Sequence, residues 1–195
     1  MLLDLRRGLV ALAAFTVLCG LAYPLAVLGA GQVAMRGAAN GSLVRDARGR
    51  VVGSALLGQG FDQPRYFWGR PSAAGKDGYD PTASGASNLG PTSAEEDKAV
   101  RERLAALLAS HPGARPQDVP GELVTASGSG LDPDISPAAA EFQVDRVAAA
   151  RGLAPERVRA LVRAATQGRT LGFLGEPRVN VLRLNLALDQ EAGTR

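Results

Sequence analysis

Apolar positions run unbroken near the start of the chain and become periodic only after it. From Gly8 to Met35, 28 residues carry no charged side chain. At about 1.5 Å per residue, a helix of that length outreaches the roughly 30 Å hydrocarbon core of a bilayer. The pattern predicts a short N-terminal segment (1–8), a transmembrane helix (9–30) and a soluble domain (31–195). Arg6 and Arg7 precede the run as in a secretory signal. The run itself is longer than the roughly 7–15 apolar residues of such a signal. Leu18, not a small residue, precedes Cys19, which argues against a lipoprotein signal. A retained single-pass anchor fits best.

Within the anchor, Pro24 lacks an N–H and would clash with the carbonyl of Gly20, so a kink is expected there. Ala22, Ala26 and Ala30 recur every fourth residue, and Thr16 and Gly20 share that spacing. Small residues at this period let a second helix approach closely. The plainer reading is that alanine is simply common here. Charge fixes the orientation only weakly. Arg6 and Arg7 flank one end, while Arg36, Arg45, Arg48 and Arg50 follow the other. A long following domain translocates largely regardless of charge, so the basic N-terminus points to an outside soluble domain.

Beyond the anchor the pattern alternates. Leu43-Val44 and Val51-Val52 flank Asp46-Ala47-Arg48-Gly49, which predicts a hairpin, with Ala55-Leu56-Leu57 extending its second strand. Residues 58–92 are rich in Gly, Pro, Ser and Asn but hold the aromatic run Tyr66-Phe67-Trp68, which predicts an ordered, irregular loop. Ser93 and Glu96 form a capping-box pattern ahead of a helix with Val100, Leu104, Leu107 and Leu108 on one face, ended by His111-Pro112-Gly113. Leu123-Val124-Thr125 reads as a short strand and Ser127-Gly128-Ser129-Gly130 as a flexible turn. Ser136 caps a helix with Pro137 at its first position, stopped by Gly152. Pro155 opens another helix, with Val158, Leu161, Val162 and Ala165 inward and Gly168 at its end. Leu182, Leu184, Leu186 and Leu188 alternate with other residues, so Val179–Leu188 reads as a half-buried strand. The fold class expected is α+β: a small antiparallel sheet with about three helices behind one membrane helix.

Charge and cysteine content narrow the function. Of the net charge of +3, residues 1–36 carry +2, so the soluble part is nearly neutral. No basic stripe with interleaved aromatics appears, so nucleic acid is not an expected partner. Cys19, the single cysteine, lies in the span, so the domain has no internal disulfide.

The candidate chemistry is thin. Gly69-Arg70-Pro71-Ser72-Ala73-Ala74-Gly75-Lys76-Asp77 suggests a phosphate loop, but its glycines are five residues apart and an acid follows the lysine. A phosphate-binding loop spaces them by four and follows lysine with Ser or Thr. Ser127–Gly130 could offer N–H groups to an anion, but a plain turn is the simpler reading. Asp132 and Asp134 are too few for a metal site. His111 is the sole histidine, which excludes multi-histidine metal sites and disfavours a serine triad; a solvated helix terminus is its expected place. Tyr66, Phe67 and Trp68 are either core or a binding platform. No catalytic, cofactor or metal residues emerge.

Three long stretches resemble one family. They are Tyr66–Ser72 with Ser84–Pro91, Leu123–Pro133 with Ile135–Ala139, and Leu171–Leu182. With the anchor, they resemble the C subunit of the bacterial high-affinity potassium-transporting P-type ATPase, the Kdp system. The chain departs from the family pattern in extra loop length at Lys76-Asp77-Gly78, and in Asp80 and Asp134, where asparagine and histidine are common. The resemblance implies a non-catalytic accessory subunit in the bacterial plasma membrane, with a cytoplasmic N-terminus and an extracytoplasmic domain. It implies two partners: a channel-like potassium-binding subunit, and a P-type ATPase subunit that handles ATP. The family's C subunit is described as a catalytic chaperone that raises ATP affinity. An outside domain would have to do so indirectly. The candidate partner contacts are Ala22, Ala26, Ala30, Tyr66, Phe67, Trp68, Arg70, Asn88, Ser127, Ser129 and Asp132. The alternative is an independent membrane-anchored binding module.

Overall fold

A computed structural model of the chain describes residues 1–193. It divides into two compact units, Met1–Leu43 and Val44–Arg195.

In the first unit a continuous helix of 33 residues runs over Leu2–Ala34. It comprises α1 (Leu2–Val17), one wide turn (Leu18–Ala22) and α2 (Tyr23–Ala34). The wide turn is how the helix accommodates Pro24. Tyr23 N–H donates five residues back, to the Leu18 carbonyl, which loosens the backbone where the proline ring would otherwise collide. No residue of the helix is buried within the chain, and beyond Asp4, Arg6 and Arg7 in its first turns it carries no charge, as suits a membrane anchor. Met35 (φ −143°) ends it, a single turn α3 (Arg36–Ala39) follows, and Asn40 bonds back to Gln32 at 3.1 Å.

The hairpin expected from the alternation is present as β1 (Leu43–Arg45) and β2 (Val51–Ser54). Asp46 builds its turn by accepting the Arg48 and Arg50 N–H groups, each at 2.9 Å. Strand β2 stops at Ser54, because the Ser54 hydroxyl accepts Leu56 N–H (3.1 Å) and turns the chain away. Ala55–Leu57 therefore do not extend it.

The core of the second unit lies between four helices and a three-stranded antiparallel sheet. The helices are α4 (Ala94–Ser110), α5 (Pro137–Arg151), α6 (Pro155–Ala165) and α7 (Val181–Gly193). The strands are β3 (Asp134–Ile135), β4 (Thr166–Gln167) and β5 (Arg178–Asn180), in the order β3-β5-β4. Ile135 and Val179 face each other in register, and both are buried. Ser136 caps α5 by accepting Ala139 N–H, and Gly152 (φ +63°) ends it in a left-handed turn that a residue with a Cβ would resist.

The architecture is α+β, with four further corrections to the elements. Val179–Leu188 is not one strand. The Asn180 side chain accepts Arg183 N–H (3.1 Å) and starts α7, in which Val181, Leu184, Asn185 and Leu188 are buried at helical spacing. Leu123–Thr125 is not a strand either. Thr125 N–H and hydroxyl both bond the Gly121 carbonyl (3.0 Å each), curling the segment into a 3₁₀ turn over Gly121–Leu123. Helix α6 stops before Gly168, where the Thr166 hydroxyl donates to the Val162 carbonyl (2.7 Å) and the chain enters β4. The capping box at α4 is half made: Ser93 accepts Glu96 N–H (3.4 Å), while the Glu96 carboxylate turns to Arg103 (4.0 Å).

Candidate partner-docking site

The aromatic run is fastened to the core by two buried amides. Asn185 on α7 accepts Phe67 N–H (2.8 Å) and donates to the Phe67 carbonyl (3.0 Å). Gln143 on α5 accepts Trp68 N–H (2.8 Å) and donates to the Trp68 carbonyl (3.1 Å). Each side chain thus replaces a missing strand partner, so this irregular segment leaves no buried peptide group unpaired at these two residues. Phe67 is wholly buried and Trp68 packs half-buried against the same core. Tyr66 stays partly exposed and donates its hydroxyl to Asp189 (3.1 Å).

Arg146 on α5 completes the clasp. Its guanidinium donates to the carbonyls of Pro64 (2.6 Å) and Tyr66 (3.0 Å), to Gln143 Oε1 (2.6 Å) and to His111 Nε2 (3.1 Å). It also lies 3.8 Å from the centroid of the Trp68 ring, a cation–π arrangement. Burial lowers its pKa to about 10, so it remains a cation at neutral pH. His111 is not a solvated terminus. It caps the end of α4, is 6 % exposed, stacks on Phe142 (4.6 Å between centroids) and meets Trp68 edge-on (6.0 Å). Its apolar neighbours and the Arg146 N–H draw it inward. His111, Gln143, Arg146 and Asn185 were not among the sequence candidates, yet one signal was present. Gln143 sits four residues from both Ala139 and Val147, in the middle of an apolar helical stripe where a polar residue needs a partner.

The glycine-rich stretches interlock rather than flex. Ser127, buried, donates its N–H to the Pro71 carbonyl (3.1 Å), and Ser129 receives Gly85 N–H (2.9 Å) and the Ser84 hydroxyl (3.0 Å) on its carbonyl. Gly130 is required here. At φ +67° an added Cβ would come within 2.7 Å of Ala74 and of the Gly85 carbonyl. Arg70 pairs with Asp132 at 3.2 Å, and Asp132 also accepts Asp134 N–H (3.1 Å). Tyr79 donates its hydroxyl to the Arg70 carbonyl, and burial raises its pKa, with the Asp132 charge adding to the effect. Of the side chains that depart from the family pattern, Asp80 turns the chain by accepting from Thr82, and Asp134 joins β3 to β5 through Arg178 (3.1 Å) and Asn180 (3.0 Å).

The candidates therefore separate into groups. Tyr66, Phe67 and Trp68 gather at the clasp; Arg70, Ser127, Ser129 and Asp132 gather at the interlocked loops. Asn88 stands alone at the surface, at φ +53°. Ala22, Ala26 and Ala30 are unburied on the anchor helix. Among the described residues, no group of three or more His, Cys, Asp or Glu gathers as a metal site.

A family model described as the K+-transporting ATPase, c chain, matches residues 5–190. The chain belongs to this family. It is 60 % identical over 190 residues to the potassium-transporting ATPase KdpC subunit of Sorangium cellulosum, covering 97 % of this chain and 98 % of that protein. The KdpC subunit of Caulobacter vibrioides is 57 % identical over 189 residues, 97 % of this chain and 94 % of its own. That of Gemmatimonas aurantiaca is 54 % identical over 194 residues, 100 % and 96 %. The chain is thus a non-catalytic subunit of the Kdp potassium-transporting ATPase complex.

Proposed function

We propose that the soluble domain stands outside the cytoplasm against the ion-conducting subunit, and raises the ATP affinity of the hydrolysing subunit without itself holding nucleotide. The observation that carries this reading is the form of the Gly69–Asp77 stretch. A phosphate loop feeds directly into a helix whose N-terminus faces the anion. Here Lys76 is exposed on an irregular loop, and the next helix begins only at Ala94. The glycine-rich Ser127–Gly130 segment already holds Gly85 and Ser84. A domain without a nucleotide cradle alters ATP affinity only through its partners, as a coupling free energy between two sites. The basic N-terminal flank, Arg6 and Arg7, supports an inside N-terminus and an outside domain.

Topology is the testable part. Gln117→Cys and, separately, Ala105→Cys, each in a Cys19→Ser background, place one thiol on an exposed face of the domain. A membrane-impermeant maleimide added to intact spheroplasts carrying the complex should label both variants. Labelling only in inverted vesicles would reject the outside placement and reopen direct nucleotide contact.

A further inference from the structure

The connection between β4 and β5 ends in an apolar tip. Thr170 and Leu174 exchange backbone hydrogen bonds, each 2.9 Å, and close a loop over Leu171, Gly172 and Phe173. Leu171 is 79 % exposed, Phe173 69 % and Leu174 49 %. Leu171 also holds φ +54°, a left-handed conformation that leucine rarely adopts. In the second unit, the other exposed large apolar residues among those described are Val51, Leu56 and Leu57. Clustered apolar side chains held in water above a hydrogen-bonded neck mark an interaction site.

We propose that this tip is a plug that seats in an apolar pocket of another subunit in the same potassium-transporting complex. Charge argues against lipid as the occupant. Loops that dock on bilayers set lysine or arginine beside their apolar residues. Here Arg169 is held by both carboxylate oxygens of Glu176 (2.9 and 2.7 Å), and Arg178 by Asp134 (3.1 Å). The neck therefore presents no free cation to anionic headgroups. Shape argues against a second copy. A protruding tip needs an apolar hollow, and the two large cavities described in this domain hold charged groups, as does the smaller aromatic one beside Trp68 and Tyr79, which carries Asp62 and Arg70. A neutral apolar plug with an aromatic centre suits a protein pocket, where such residues dominate binding. The inference rests on membership of the complex, not on which side of the membrane the domain occupies.

The test uses the whole complex. Phe173→Ser should reduce recovery of this chain with the two larger subunits about tenfold, as loss of an anchoring aromatic does, with its melting temperature unchanged. A photoreactive benzoylphenylalanine in place of Phe173 should form an adduct with one larger subunit. The adduct decides the matter independently of the yield. Adducts to lipid or to a second copy of this chain, or wild-type recovery of Phe173→Ser, would overturn the proposal. The cysteine labelling above reports topology separately, so either reading fails without the other.

Discussion

His111 faces a cation, and the geometry favours its neutral form. Its Nδ1 lies 2.8 Å from the Leu107 carbonyl, so that nitrogen carries the hydrogen, and Nε2 accepts from Arg146. A second proton would have to sit on Nε2, against the guanidinium. Burial holds the imidazole below its ordinary pKa of 6.5, against a smaller upward pull from the Leu107 carbonyl, and the Arg146 charge lowers it further. The carboxylates lining the same cavity do not reverse this, being engaged elsewhere: Asp118 with Arg115 (2.9 Å) and Asp145 with Arg159 (3.2 Å). The sign follows from linkage. Unfolded His111 titrates near 6.5, so the unfolded chain binds more protons than the folded one below that pH. The stabilisation is complete above 6.5 and is lost as pH falls below it, by up to about 1.4 kcal/mol per pH unit until the folded pKa is reached. Trp68, the only tryptophan, reports the event directly because its ring touches both Arg146 and His111. Melting followed by tryptophan fluorescence from pH 7.5 to 5.5 should show a steeper loss for the wild type than for His111→Gln. Equal slopes would show that His111 is not the group excluded from protonation.

At the scale of elements, the anchor carries the clearest expectation. Ala22, Ala26 and Ala30 keep their four-residue spacing across the wide turn, and none is covered within the chain. If they form a seam for a partner helix, Ala26→Leu should lower recovery of the assembled complex severalfold while leaving membrane insertion intact, because added bulk blocks close approach. Unchanged recovery, measured by affinity purification with subunit quantification, would remove the seam from the docking surface. Much of the element order was legible from side-chain pattern alone. Ser136 with Pro137 and Gly152 bracket α5 by local chemistry, and Asp46 with Gly49 specifies the hairpin turn. Where local signals competed, the reading failed. Leucines at every second position satisfy a strand, but Leu184 and Leu188 also satisfy a helix, and Asn180 as an N-cap tips the balance. The aromatic run shows the same limit of local pattern. Phe67 and Trp68 were visible as aromatics, but the amides that hold them lie 118 and 75 residues further along. No short-range pattern encodes such a partnership.

At the scale of the whole molecule, the proposed function routes any effect on ATP through a partner subunit. Thermodynamics then constrains the complex in both directions. If this subunit raises the ATP affinity of the hydrolysing subunit by some factor, ATP must raise the affinity of the complex for this subunit by the same factor. The coupling is expected to be on the order of 1–3 kcal/mol, or about 5–150-fold. Two measurements on the purified complex check it. One is the dissociation constant of a non-hydrolysable ATP analogue, with and without this subunit. The other is the subunit's own affinity for the remaining complex, with and without the analogue. Indirect coupling predicts equal ratios, and Phe173→Ser, by weakening docking alike in both nucleotide states, should lower occupancy while leaving the ratio unchanged. A direct bridging contact to nucleotide obeys the same equality, so a third arm separates the two routes. A photoreactive ATP analogue bound to the complex should label the hydrolysing subunit and leave this chain unlabelled. Label on residues 69–77 would instead make the irregular loop a nucleotide contact and require its domain to face the cytoplasm.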